Sequence, residues 1–205
     1  SPEHGKPDIL PRVLDSINRQ SPGFEFEVIV EHDRGPYRNP SVARNTAMKR
    51  ARGEILILQS DDVVHQDSNA IERLVSDLEP REFLLATVFN VDPAGQITAT
   101  YVSPSRPRPL FFLGSVAREH IYKIGGNSED FNEPGSEDTW LGNCLIHGAG
   151  LLPRYTWGIV GHHIDHPRPP LGKHYRRMGA LYRKKVEEAQ RDPSKWRGGE
   201  PWELD

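Results

Sequence analysis

Three stretches of this chain carry side chains whose types and spacing suit chemistry. In Ile55-Leu56-Ile57-Leu58-Gln59-Ser60-Asp61-Asp62, an aliphatic run ends in two adjacent carboxylates. Neighbouring carboxylates repel unless a cation or solvent lies between them. Mg2+ or Mn2+, held by one or two carboxylates and completed by substrate phosphates, is the usual solution; a turn capped by Asp is the plain alternative. Gly135-Ser136-Glu137-Asp138 places a second carboxylate pair where a helical pattern begins. There the acids either cap the helix against its dipole or supply a general base that takes a proton from an acceptor hydroxyl. Gly161-His162-His163-Ile164-Asp165-His166-Pro167 packs three imidazoles and a carboxylate together. Imidazole is the commonest metal ligand at neutral pH. The run suits a zinc site, one imidazole sharing an ion with the earlier Asp, or a solvated loop. Together the three stretches point to metal-dependent chemistry on a phosphorylated, nucleotide-linked substrate.

The elements that must position these residues follow from periodicity. Ile9, Leu10, Val13, Leu14 and Ile17 line one face of a helix over Asp8 to Gln20. Phe24 to Val30 reads as a strand leading to Glu31-His32-Asp33. Asn39 predicts a helix N-cap with Pro40 at the first helical position, and that helix stops at Gly53. Ile55 to Leu58 has the continuous apolar character of a strand buried on both faces. A helix over Asp67 to Leu78 and a strand over Phe83 to Phe89 follow. Asp92-Pro93-Ala94-Gly95 is turn chemistry that returns the chain as a hairpin arm over Gln96 to Val102. Alternating helices and strands describe an α/β sandwich with a mainly parallel sheet, whose ligands lie beyond the carboxyl ends of the strands. Asp33 and Ser60-Asp61-Asp62 fall at such ends. A sheet of this kind opens with a strand, and none precedes the first helix, so upstream residues are expected to supply it.

The bulk numbers narrow the classes. With 205 residues, the chain is long enough for one domain with a sizeable core. A net charge of -3 argues against general nucleic-acid affinity. The single Cys144 cannot form an internal disulfide, which favours a reducing, cytoplasmic setting. No apolar run approaches the ~18 residues that cross a membrane. The stretch Lys173 to Arg191 reads as a basic helix that docks on the domain or lies against an anionic membrane surface.

Taken in order, five stretches resemble the inverting glycosyltransferases of the GT-A fold, family two in particular. They are LPRVLDSINRQ, FEVIVEHDRG, SVARNTAMKRARGEILILQSDD, GSVAREHIYKIGGNSEDFNEPGSEDTWLG and HHIDHP. The resemblance covers roughly residues 6 to 167. It implies a Rossmann-like α/β/α sandwich for residues 1–172, with 173–205 as a basic C-terminal helix and tail. It further implies transfer of a sugar from a nucleotide-diphosphate donor, a UDP-sugar first of all, to an acceptor hydroxyl on a glycan, lipid-linked or protein acceptor. The cofactor implied is Mn2+ or Mg2+. Carried over position by position, Asp33 binds the base, Arg44 lies near the nucleotide or its phosphates, and Asp61 faces the ribose or supports the ion. Asp62 and His163 hold the metal, with Ser60 standing where the first acid of the DXD motif usually stands. Asp138 matches the catalytic base and Glu137 orients acceptor or metal. Trp140 and His166 are candidates for an acceptor-side or secondary role, and Trp140 and Trp157 either stack on a sugar ring or pack in the core. Two other readings stay open: a catalytically inactive binding or assembly module of the same fold, and a metal hydrolase built on the three imidazoles.

Overall fold

The computed structural model describes residues 9–32, 39–166 and 172–204. Its elements are α1 (Leu10–Asn18), α2 (Pro40–Arg50), β1 (Ile55–Gln59), β2 (Val63–His65), α3 (Ala70–Ser76), β3 (Glu82–Val91), β4 (Ile97–Val102), β5 (Leu113–Ala117), α4 (Arg118–Lys123), α5 (Glu137–Asn143), β6 (Leu152–Ile164) and α6 (Gly172–Arg191). A π-helical turn, Cys144–Ala149, continues α5. The sheet runs in the order β1-β5-β3-β6-β2, with β4 paired to β3. Helices and strands mix along the chain without the strict alternation the sequence predicts: α1 and α2 follow one another with no strand between them among the described residues, and β3, β4 and β5 are consecutive. The ladders β2/β6, β3/β4 and β3/β5 are antiparallel, so the parallel character expected of the sheet is not carried by these pairs. No helix among the described residues is long and apolar enough to cross a membrane.

Contacts divide the chain into two compact units. The first comprises Ser1–Glu25, Ile57–Val116 and Pro153–Pro170. Its core gathers Val63, Leu74, Leu84, Ala86, Val88, Leu113 and Ile159, with Ile57, Tyr101 and Phe112 packed against them. Central β3 has buried side chains on both faces, which is why Phe83 to Val88 is apolar almost throughout. The β3–β4 hairpin closes as its turn residues dictate: Gly95 N–H donates to Asp92 C=O (2.9 Å), and Asp92 Oδ1 accepts from Gln96 N–H (2.8 Å). Gly95 takes φ +81°, a conformation that glycine adopts without a Cβ penalty.

His65 ties β2 to α1. Its backbone N–H donates to Ser16 Oγ (3.2 Å), and its Nε2 lies 2.8 Å from Gln59 Oε1. The ring is buried, and that burial outweighs the opposing pull of Asp67, lowering its pKa to about 4. The unfolded chain therefore binds a proton that the folded one refuses between its ordinary value of 6.5 and about 4. Stability from this residue is full above pH 6.5 and is lost as pH falls toward 4; the loss is on the order of 3 kcal/mol. Urea unfolding at pH 7 and pH 4.5 is expected to show this drop, with a smaller drop in His65→Gln. Equal drops in both proteins would assign the acid sensitivity to other groups.

The second unit comprises Phe26–Leu56, Ala117–Leu152 and Leu171–Asp205. Asn39 caps α2 as the sequence predicts, its Oδ1 accepting from Ser41 N–H (3.1 Å) and Val42 N–H (3.2 Å). Asn45 on α2 holds the Gly126-Asn127 turn by donating to Asn127 C=O (3.0 Å) and accepting from Asn127 N–H (2.8 Å). Trp140 stacks on Trp196 at 5.3 Å and donates Nε1–H to Arg197 C=O (3.2 Å). Only 1% of Trp140 is exposed, so of its two readings the core one holds, and it presents no face for a sugar ring. Trp157, in contrast, is 53% exposed on β6.

The strand expected over Phe24 to Val30 is not formed: these residues pair with no strand among those described. Phe24, Phe26, Val28 and Val30 are each well exposed. Side-chain contacts anchor the stretch instead, with Arg52 N–H donating to Glu27 Oε1 (2.7 Å) and Arg50 paired with Glu31 (2.7 Å). Alternating apolar residues favour extended backbone, but only a neighbouring edge turns extended backbone into a strand.

Candidate metal centre

The metal-binding candidates meet in the first unit through one antiparallel ladder. β2 and β6 pair Val63 with His163, Val64 with His162 and His65 with Gly161. This register brings the turn before β2 against the end of β6, and Ile164 N–H donates to Asp62 C=O (2.9 Å). Asp62 Oδ2 then lies 3.3 Å from His163 Nε2 and 3.2 Å from His166 Nε2. One ligand atom from each of the three residues lies within 4.8 Å of the others. Asp62 and His163 are buried, with 6% and 2% of their surface exposed. A carboxylate oxygen and two imidazole nitrogens converging in a buried site repel one another through their lone pairs unless a proton or a cation lies between them. One oxygen and two nitrogen donors suit a divalent ion such as Mn2+, Co2+ or Zn2+.

The surroundings fix the orientation of each donor. Ser60 Oγ–H donates to Asp62 Oδ1 at 2.7 Å, leaving Oδ2 directed at the imidazoles. Ser60 itself is held by its N–H to Phe112 C=O (3.0 Å) and by its C=O, which accepts from Val63 N–H (3.2 Å). Asn90 Oδ1 lies 2.8 Å from His163 Nδ1 and accepts from Tyr101 Oη–H (3.2 Å). The ring of His163 meets Tyr101 edge-on at 5.0 Å and Phe112 at 5.9 Å, which sets its plane.

The histidine run does not act as a block. Successive strand residues point to opposite faces, so His162 leaves the cluster and meets Phe89 edge-on at 6.5 Å. Partial burial lowers the pKa of His162. Among the described residues, the group able to hold a cation is Asp62, His163 and His166. The zinc centre of three imidazoles that a hydrolase would use is therefore not assembled. Asp61 is exposed beside the buried Asp62. Asp33 lies outside the described residues. Asn90 is the residue that sequence reasoning missed, although a polar side chain between Phe89 and Val91 in a buried strand was a usable signal.

The second unit holds the other acids. Asp138 forms an ion pair with Arg44, both side chains being about four-fifths buried. Glu137 turns back so that its Oε2 accepts from Gly135 N–H (2.6 Å). Burial, and then the neighbouring Asp138 charge, raise the pKa of Glu137. Just before this pair, Ser136 takes φ +71°, the only non-glycine at positive φ among the described residues. That conformation costs an L-residue of order 1–3 kcal/mol and recurs at functional loops. The α5 start therefore offers one carboxylate fixed by a guanidinium and one buried carboxyl whose pKa is raised.

No protein-family model matches the chain, and no curated protein does. Solved structures do match. The mannosyltransferase PcManGT from Pyrobaculum calidifontis, in complex with GDP-Man and Mn2+, aligns at TM-score 0.55 and 17% identity, covering 90% of this chain and 61% of that one. The catalytic domain of Drosophila β1,4-galactosyltransferase 7, in complex with xylobiose, aligns at 0.50 and 18%, covering 71% and 56%. This chain thus spans less than two thirds of the length of either structure. At such identities the likeness speaks to architecture, and the architecture is the GT-A glycosyltransferase fold.

Proposed function

We propose that this chain is a metal-dependent glycosyltransferase that moves a sugar from a nucleotide-diphosphate donor to an acceptor hydroxyl with inversion at the anomeric carbon. The observation that carries the proposal is the convergence of Asp62, His163 and His166, just past the end of β1, in a chain of this fold. The Pyrobaculum structure supports the donor class, since it holds GDP-Man and Mn2+. UDP is the first nucleotide to test and GDP the second.

In this reading Asp62, His163 and His166 hold a divalent cation. When bound, such an ion supplies Lewis acidity toward the diphosphate oxygens. Asp61, exposed next to Asp62, meets the ribose, and Asp33 meets the base. Asp138 accepts the proton of the acceptor hydroxyl as the new bond to the anomeric carbon forms and the bond to the diphosphate breaks. Arg44 orients Asp138 through their ion pair, and Glu137 fixes the loop through Gly135. The exposed Lys173, Arg176, Arg183 and Lys184 of α6 provide positive charge for anionic lipid around a lipid-linked acceptor. A reducing, cytoplasmic setting belongs to this reading, in keeping with a single cysteine, Cys144, that has no partner in the chain for a disulfide.

Calorimetric titration of UDP and GDP, each with and without Mn2+, tests the reading. Binding of one nucleotide that requires Mn2+ is the expected result. A folded protein that takes up neither nucleotide under either condition overturns it.

A further inference from the structure

We propose that Ser60 and Asn90 are positioning residues for the metal centre, aiming one donor atom from each of Asp62 and His163 before any ion arrives. The inference rests on the metal-centre reading above and assigns roles to two residues that are not themselves ligands.

The tautomer of His163 follows from a closed set of hydrogen bonds. Asn90 Nδ2–H donates to Thr98 Oγ1 (2.7 Å), and Thr98 Oγ1–H donates to Asn90 C=O (3.3 Å). This pairing fixes which end of the Asn90 amide faces Thr98, so the carbonyl end faces His163 and Tyr101. An amide oxygen cannot donate. His163 Nδ1 must therefore carry the hydrogen in the 2.8 Å contact, which leaves Nε2 as the nitrogen that faces Asp62 and can serve an ion. A histidine ligand oriented by an acceptor on its other nitrogen is the general pattern of metal sites.

Ser60 does the equivalent for the carboxylate. With Oδ1 accepting the serine hydroxyl at 2.7 Å, Oδ2 is the oxygen directed at both imidazoles, and Asp62 is set as a one-oxygen donor. The hydroxyl belongs to a turn whose backbone is fixed at both ends, by Phe112 C=O and Val63 N–H, so the aim is built into the fold. Gln59 adds a brace across the same turn, its Nε2–H donating to Val63 C=O at 2.7 Å. Serine at the place where an acid would stand thus acts by direction rather than by charge. Two nitrogens and one oxygen make the site prefer Mn2+, Co2+ or Zn2+ to Mg2+, whose usual partners are oxygens.

The test uses Mn2+ alone as the probe, with free Mn2+ followed by electron paramagnetic resonance. Ser60→Ala and Asn90→Leu are expected to weaken binding about 10- to 100-fold. Ser60→Thr, which keeps the hydroxyl, and Asn90→Asp, which keeps an acceptor for Nδ1–H, are expected to stay within about threefold of the parent. Spectra of 15N-labelled histidine report the His163 tautomer directly: an Nδ1–H form is expected in the parent and in Ser60→Ala, and its loss in Asn90→Leu. Unchanged Mn2+ affinity in Ser60→Ala and Asn90→Leu, with tight binding by the parent, overturns the positioning roles and leaves the metal centre standing. A folded parent that takes up no Mn2+ overturns both. If Asn90→Leu fails to fold, the Ser60→Ala and Ser60→Thr pair decides the serine role, and the tautomer in Asn90→Asp decides the asparagine role.

Discussion

Asp62→Asn is expected to lower Mn2+ affinity by at least 100-fold and sugar transfer by about 1000-fold. Removing an outer-shell partner costs 10- to 100-fold, and loss of the only carboxylate among the three donors exceeds that. A 1000-fold rate loss corresponds to about 4 kcal/mol of transition-state stabilisation, in the range assigned to Lewis-acid neutralisation of developing charge. The change is nearly isosteric, and Asn offers an amide oxygen to Ser60, so the turn keeps its shape. A thermal measurement separates binding from folding. At an Mn2+ concentration 100 times its dissociation constant, the parent gains about 2.7 kcal/mol by mass action. Asp62→Asn is expected to show no such gain while melting, without metal, close to the parent. A variant that is stabilised by Mn2+ as strongly as the parent would remove Asp62 from the metal site.

Asp138→Asn is expected to lower kcat by 100- to 10,000-fold, the usual contribution of a general base. Mn2+ affinity and the donor KM are expected to stay unchanged. The ion pair with Arg44 complicates the experiment, because breaking it leaves a partly buried guanidinium without its carboxylate. That loss costs roughly 1–2 kcal/mol of stability. Arg44→Gln breaks the same pair from the other side and is expected to cost a similar amount of stability with a smaller loss of kcat. If the two variants lose stability equally and kcat equally, Asp138 is only a partner for Arg44. Removing the Asp138 charge also removes one of the two causes that raise the Glu137 carboxyl, while burial persists. Glu137, with its raised folded value, stabilises the fold most at low pH, and that contribution is lost as pH rises through the folded value. Asp138→Asn therefore flattens this loss at high pH.

Much of the architecture was legible because it rests on local signals. The Asn39-Pro40 cap, the Asp92 to Gly95 turn and the aliphatic run of β1 each carry their own physics. The stretch from Phe24 to Val30 misled for the opposite reason: its alternation is local, but strand formation needs a partner edge. Trp140 stayed open because an aromatic serves equally well against a sugar and inside a core, and only packing against Trp196 and Phe131 decides between them. At the candidate site, Asp62 and His163 were readable from residue type, whereas the parting of His162 from His163 needed β6 to be seen as a strand. His166 stood open between an acceptor-side and a secondary role, and the chain beyond β6 carries it to Asp62. The contribution of Asn90 is a matter of register, since it depends on which β3 residue lies beside His163.

The most direct measurement is anomalous scattering at the manganese edge from crystals grown with Mn2+ and the nucleotide that calorimetry selects. A single strong peak bounded by Asp62 Oδ2, His163 Nε2 and His166 Nε2, with diphosphate oxygens on its other side, is the predicted result. Nucleotide bound with no metal at these three atoms, or metal held there with the nucleotide elsewhere, would contradict the account.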